Sequence, residues 1–281
     1  MDLRHGKLPL ECSLIRKPFA QSSEAAVKAL ESNYQFAVVI PALNEASTIA
    51  DTVRRTLAFT QNVVIVDDAS SDGTADLLSG LPVTVLRHTA NKGKGASLIT
   101  GFRAALELDI CAVITLDGDG QHRPEDIPKL LARAKQEPDR IVIGSRLTNR
   151  ACAPPARYRA NRVADFWISW ASGHLIEDSQ SGFRLYPRRI LESVQARYDR
   201  RRGFVFESEI LINSARAGYS TVSVPIPALY RGLATRDSYF RPIADISRIV
   251  VMVAGKLISR WMYLEGLIQV FRDRRDGESR N

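Results

Sequence analysis

Short apolar runs alternate with helical patterns along the first half of the chain, and this alternation constrains the fold more than any other feature. The runs at 36–40, 63–66, 83–86, 111–116 and 141–144 are rich in valine and isoleucine and of buried-strand type. Between them lie helical patterns at 45–59, 74–78, 95–108 and 125–134. In the first of these, Ile49, Val53 and Leu57 recur on one face. Such a βαβα order predicts an α/β fold, a mostly parallel sheet covered by helices. Ligands of such sheets bind at the carboxyl ends of the strands. The residues that leave each strand are therefore the candidates for function.

Those exits are polar. The fourth run ends in Asp117-Gly118-Asp119-Gly120-Gln121-His122. Two carboxylates this close repel unless a cation lies between them, and oxygen-only ligands suit Mg²⁺ or Mn²⁺. The ion would bridge the protein to a diphosphate. Alone, a D-x-D pattern is a weak signal, and an ordinary acidic turn is its commoner explanation. The first run, however, exits into Pro41-Ala42-Leu43-Asn44-Glu45, where Asn44 can cap the next helix. The second exits into Asp67-Asp68-Ala69-Ser70-Ser71-Asp72-Gly73-Thr74. After the third comes Asn91-Lys92-Gly93-Lys94-Gly95, a glycine-rich basic turn suited to an anionic group. Taken singly, Asn44 and Asp72 read as caps, Asp67 as a turn former and Lys94 as surface charge. Four polar exits in one sheet favour a site.

Charge divides the chain. From Phe36 to His122 there are 6 Lys/Arg against 10 Asp/Glu, whereas from Arg146 to Arg202 there are 12 Arg against 5 Asp/Glu. An acidic half and an arginine-rich half imply two ligands. No RNA-binding aromatic motif or helix-turn-helix pattern accompanies the arginines, so nucleic acid is not expected. Cys12, Cys111 and Cys152 are scattered and lack metal spacing, which fits a reducing compartment. Residues 1–34 carry no long apolar core of a secretory signal, and no run is long enough to span a bilayer. The expected location is the cytoplasm, in solution or peripheral to the membrane.

The four exits, in this order and spacing, and the continuation Arg123-Pro124 resemble the family 2 glycosyltransferases. Gly144-Ser145-Arg146 and Asp178-Ser179-Gln180-Ser181-Gly182-Phe183-Arg184 narrow the likeness to the dolichyl-phosphate mannose and glucose synthase branch. The resemblance runs from about Phe36 to Arg231. It implies the GT-A fold, a nucleoside-diphosphate sugar donor with UDP or GDP, a divalent cation and inversion at the anomeric carbon. It assigns Pro41, Asn44, Glu45 and Asp68 to the base and ribose, and Lys94 and Gly118 to the nucleotide. Asp117 and Asp119 would hold Mg²⁺ or Mn²⁺, with Gln121 as a further oxygen ligand. His122, beside a helix entrance, is read as a positioning or structural residue.

The acceptor decides whether a base is needed. A lipid phosphate such as polyprenyl phosphate is already ionised and attacks without losing a proton. Arg146 and Arg184 would bind it, assisted by Arg201 or Arg202. A hydroxyl of another lipid or a glycan would need a general base, Asp178 first and Glu209 second. The lipid phosphate is the preferred reading. Rival classes are a nucleotidyltransferase, which usually places its glycine-rich loop directly after the first strand, and a non-catalytic nucleotide-sugar-binding module. A phosphoacceptor domain would explain Asp67-Asp68 but not Asp117 and Asp119.

The expected organisation is an extension at 1–33, with a short helix at 23–30, then a catalytic domain at 34–235. Its donor and metal half is 34–122 and its acceptor half 123–235. A C-terminal segment at 236–281 follows. There, Ile243, Ile246, Val250, Val253, Leu257, Trp261, Leu264 and Ile268 predict an amphipathic helix, interrupted by Asp245, Arg248, Lys256 and Arg260. It would pack on the domain, on a second subunit in a homo-oligomer, or on a membrane surface through residues 243–275.

Overall fold

The computed structural model describes residues 34–146, 155–193, 205–227 and 242–278. The extension at 1–33, Arg201 and Arg202 lie outside them. Among the described residues the strands are β1 (Phe36–Ala42), β2 (Val63–Asp67), β3 (Thr84–Arg87), β4 (Ala112–Thr115), β5 (Ile141–Ser145), β6 (Arg184–Pro187) and β7 (Thr221–Pro225). The helices are α1 (Ile49–Thr56), α2 (Lys94–Leu106), α3 (Ile127–Gln136), α4 (Pro155–Ser172), α5 (Arg188–Ser193), α6 (Val205–Arg216), α7 (Pro242–Ile258) and α8 (Leu264–Glu278).

The strands form one sheet in the order β3-β2-β1-β4-β6-β5-β7. Every described pairing is parallel except those of β6, which runs antiparallel to β4 and β5. The five apolar runs thus became β1 to β5, as the alternation implies. β1, β2 and β4 are buried along nearly their whole length. A strand covered on both faces needs apolar side chains at successive positions, which accounts for their continuous Val/Ile composition. α2 packs on this sheet through Leu98, Phe102 and Ala105. The Phe102 ring meets Tyr186 of β6 edge-on at 5.4 Å, and Phe102→Ala would cost about 3–5 kcal/mol.

Two expectations change. The pattern at 74–78 yields only a 3₁₀ turn at Asp76–Leu78, closed by the Ser79-Gly80 reversal. The C-terminal stripe is carried by two helices, α7 and α8, separated by a turn at Trp261–Tyr263.

The reversal of β6 matters for the site. Parallel strands deliver their C-terminal ends to one edge; β6 delivers its beginning there. Arg184, its first residue, pairs with Thr115, the last of β4. The loop before β6 therefore arrives beside Asp117.

Candidate active site

The exits of β1 and β2 are knitted by backbone-to-side-chain bonds. Asn44 takes a left-handed conformation, φ 53°, which asparagine tolerates better than most residues. Its amide donates to Ser70 Oγ at 2.9 Å, and its side-chain oxygen accepts from Ser71 N at 2.9 Å. Glu45 N donates to Thr74 Oγ1 and Ala46 N to Asp72 Oδ2. Asn44 and Asp72 thus tie two loops together instead of capping helices; α1 begins only at Ile49.

Asp68 is the anchor of the basic turn. One oxygen accepts from Lys92 N at 2.9 Å and faces His88 Nδ1 at 2.7 Å; the other accepts from Gly93 N at 2.7 Å. His88 is held on its far side by Thr100 Oγ1 at 3.0 Å. Asp68 therefore shapes the start of α2, where Gly93 takes φ 88° and Lys94 follows as the first helical residue. Nothing in the sequence marked His88 as its partner.

The paired acids lie on the loop after β4. Gly118 packs on this junction: a Cβ there would lie 3.4 Å from the carbonyl oxygen of Pro41 and from Glu45 Cγ. Thr48 Oγ1 donates to the Gly118 carbonyl at 2.7 Å, joining the β1 and β4 loops. Gln121 N donates to Asp119 Oδ1 at 2.9 Å. Lys94 Nζ sits 2.7 Å from Asp117 Oδ1 and 3.0 Å from Glu207 Oε2. Burial alone would raise the Asp117 carboxyl; Lys94, His122 and Arg146 outweigh it and hold the group at about 2. The same two carboxylates keep Lys94 protonated against its own burial.

His122 is 2% exposed, packs against Phe183 and brings Nδ1 to 3.8 Å from Asp117 Oδ2. Burial pushes its pKa down to about 4, so the ring is neutral near pH 7. This placement suits a residue that supports Asp117.

The donor set fits a hard divalent cation. An ideal Cβ at Gly182 would lie 2.5 Å from Asp117 Oδ2, so glycine keeps the space beside that oxygen clear. Among the described residues no three His, Cys, Asp or Glu side chains cluster as a complete metal cage. Asp117 and Asp119 would offer carboxylate oxygens, the ligand type that Mg²⁺ or Mn²⁺ takes alongside waters and substrate phosphates.

Across the edge lies an ion pair. Asp178, itself left-handed at φ 52°, accepts from Arg146 N at 2.8 Å, Nε at 2.9 Å and Nη2 at 2.8 Å. Burial raises the Asp178 carboxyl, but the Arg146 bonds win and hold it below the usual carboxylate range. Beneath it, buried Asp165 of α4 accepts from Ser179 N at 2.8 Å and Ser179 Oγ at 2.7 Å.

Two residues stand elsewhere than the sequence reading put them. Arg184 is fully buried and donates to the carbonyls of Ser181, Ser179 and Glu207, each at 2.7 Å, and to the Tyr186 hydroxyl. It organises the loop and offers no exposed surface to an acceptor. Glu209 is buried against Lys256 of α7 at 3.2 Å. The carboxylate of α6 that reaches the site is Glu207, which the sequence reading passed over. Residues two apart on a helix point about 200° away from each other, so only one of the pair can face the sheet edge.

Comparison with known proteins identifies the family. The glycosyl transferase family 2 model matches residues 37–195, more than half of the chain. The chain belongs to glycosyl transferase family 2. It is 30% identical over 244 residues to an undecaprenyl-phosphate mannosyltransferase of Micrococcus luteus, covering 82% of this chain and 96% of that one. It is 29% identical over 249 residues to a UDP-N-acetylglucosamine–dolichyl-phosphate N-acetylglucosaminyltransferase of Methanococcus voltae, covering 79% and 97%. Among solved structures, glucosyl-3-phosphoglycerate synthase of Mycobacterium tuberculosis, in complex with Mn²⁺, UDP and glucosyl-3-phosphoglycerate, superposes with a TM-score of 0.60. That match covers 84% of this chain and 83% of the other at 18% identity. As a member of glycosyl transferase family 2, the protein is a glycosyltransferase of GT-A fold.

Proposed function

We propose that this enzyme moves a sugar from a UDP- or GDP-linked donor to a membrane lipid phosphate of the polyprenyl type, with inversion at the anomeric carbon. The observation that carries this reading is the Arg146–Asp178 pair. Asp178 is 1% exposed, paired through both oxygens and held below the usual carboxylate range. A carboxylate so occupied is a poor general base. An acceptor that arrives ionised does not need one. The Micrococcus luteus and Methanococcus voltae relatives, both named for polyprenyl- or dolichyl-phosphate acceptors, support the same class.

Pro41, Asn44, Glu45 and Gly118 line the donor end in this reading, and Asp68 holds the basic turn in shape beside it. Lys94 offers its charge to the diphosphate. Asp117 and Asp119, with Gln121, would hold Mg²⁺ or Mn²⁺, which would supply neutralisation of the charge on the departing nucleoside diphosphate. Arg146, its plane fixed by Asp178, draws the acceptor phosphate to the opposite side of the sugar. An acceptor oxygen bonds to the anomeric carbon as the bond from that carbon to the donor's phosphate oxygen breaks. No proton moves.

The test is nucleoside diphosphate release across a panel of UDP- and GDP-sugars with Mn²⁺ or Mg²⁺, with and without polyprenyl phosphate. Release that requires one donor and the lipid phosphate is expected. Donor turnover indifferent to lipid phosphate would move the acceptor to a hydroxyl and sink this reading. Pyrophosphate release from a nucleoside triphosphate would instead favour nucleotidyl transfer.

A further inference from the structure

Over the described side chains of α7, 249–258, the surface away from the core is as apolar as the buried one. Ile249, Val253 and Leu257 face inward, at 5%, 1% and 2% exposure. Opposite them, Val251 is 71% and Ile258 69% exposed, and Ala254 and Gly255 between them are exposed too. A water-facing helix side normally carries polar residues. The apolar surface continues through the following turn and onto α8: Trp261 is 95% exposed, Leu264 64%, Ile268 52% and Phe271 46%.

The turn is built to hold that indole outward. Trp261, Met262 and Tyr263 take φ of 51°, 64° and 40°, a left-handed run that bulky residues avoid unless their surroundings enforce it. Tyr263 supplies the enforcement. Its carbonyl accepts from Trp170 Nε1 at 3.1 Å, and the Arg260 guanidinium lies 3.6 Å above its ring. Glycines make room for it: a Cβ at Gly173 would fall 2.6 Å from the Tyr263 hydroxyl, and one at Gly266 2.2 Å from Cε1. With Tyr263 fixed inward, Trp261 is left in solvent.

We propose that this turn and the outer faces of α7 and α8 form a docking surface for an anionic lipid bilayer, with Trp261 as the inserting residue. Cations border the apolar surface. Arg260 precedes Trp261, and Arg275 falls at the +11 position from Leu264, on the stripe of Leu264, Ile268 and Phe271, with exposed Arg272 beside it. Indole and arginine together suit the boundary between acyl chains and phosphates. The exposed acids Glu265 and Asp276 lie about 100–120° around α8 from Leu264, off the stripe. Asp273 turns inward, accepting from Leu175 N at 3.0 Å. No described helix is long and apolar enough to cross a membrane, so the contact is in the plane of the surface. A rigid protein partner would need a pocket shaped for a fully projecting indole; a fluid boundary accepts it without one. The inference rests on the membrane-borne acceptor proposed above, and it supplies the contact that brings the enzyme to it.

The experiment is co-sedimentation of the full chain with vesicles of phosphatidylcholine, with or without phosphatidylglycerol, all lacking polyprenyl phosphate. Binding to the anionic vesicles is expected, at least tenfold weaker for Trp261→Glu and for Ile258→Glu, and largely kept by Trp261→Phe. Both glutamate variants should retain metal-dependent donor binding, because both side chains are exposed. Wild-type binding that survives both glutamate substitutions would overturn the proposal. So would binding that appears only when polyprenyl phosphate is added. Turnover on detergent-dispersed polyprenyl phosphate, without any vesicle binding, would leave the enzymatic reading standing and remove this one. Self-association abolished by Trp261→Glu, again without vesicle binding, would assign the surface to a second copy.

Discussion

In the proposed metal site, Asp117 depends on neighbours that keep it ionised and on Gly182, which adds no atom against Oδ2. Adding a methyl group there puts carbon 2.5 Å from Asp117 Oδ2, where a cation would have to approach. Gly182→Ala should therefore abolish high-affinity Mn²⁺ binding while costing about 1–3 kcal/mol of stability through overpacking. Manganese titration followed by electron paramagnetic resonance, with denaturant unfolding alongside, separates the two effects; unchanged Mn²⁺ affinity would refute the assignment of Asp117. A second buried acid behaves in the opposite sense. Burial raises Asp165 to about 6, above the roughly 3.9 of an unfolded aspartate. The folded state then keeps a proton that the unfolded chain releases between those values. Its contribution is fully present below about pH 4 and lost as pH rises through about 6. Asparagine can keep an acceptor oxygen on Ser179, so Asp165→Asn should be the more stable form at pH 7.5, by up to about 3 kcal/mol. The gap should close by pH 4. Unfolding of both proteins across that range gives the difference directly; a difference independent of pH would contradict the shift.

At the scale of elements, the loop before β6 is set by Arg184. Its side chain satisfies carbonyls on the 178–183 loop and at the start of α6. Arg184→Met would leave those oxygens buried without a donor, at about 1–3 kcal/mol each. Arg184→Lys should recover little, because one ammonium cannot reproduce the planar fork. Both variants are expected to unfold at much lower denaturant concentration; near-wild-type unfolding of the lysine variant would show that the fork is dispensable. β6 also marks where the sequence stops being readable. β1, β2 and β4 are continuous apolar runs because both their faces are covered, so composition alone reveals them. β6, Arg-Leu-Tyr-Pro, opens on a buried cation and ends on proline, and neither residue type announces a strand. β7, an edge strand with Thr and Ser at alternate positions, offers no long apolar run either. Arg184 was read as an acceptor ligand for the same reason: its motif was visible, its burial was not. Glu207 and Glu209 lie two apart on α6, and which one faces the sheet depends on a helix phase set by tertiary packing. The polar exits of β1, β2 and β4 were legible because each lies directly behind a readable strand.

Across the whole molecule, one lysine joins the proposed donor and acceptor halves. Lys94 opens α2 on the donor side, yet its ammonium spans Asp117 on the β4 loop and Glu207 on α6. It holds the position of a counter-cation to Asp117. A divalent ion approaching Asp117 must then compete with that ammonium, while Glu207 keeps the lysine within the site and near the diphosphate that it would meet. Coupling of this kind is reciprocal: whatever draws Lys94 toward the donor eases cation binding, and the cation eases donor binding to the same degree. Lys94→Met separates the effect on the cation from the effect on the donor. Without donor, the variant should bind Mn²⁺ at least about tenfold more tightly, since removing even a modest ion pair of about 1.4 kcal/mol yields that factor. With Mn²⁺ present, its affinity for the nucleotide-sugar should fall, because the diphosphate loses a cation. Calorimetric titration of metal alone, then of donor into the metal-loaded protein, measures both. Weaker metal binding in the variant would mean that Lys94 helps to build the cation site instead of competing for it, and the proposed exchange would be wrong.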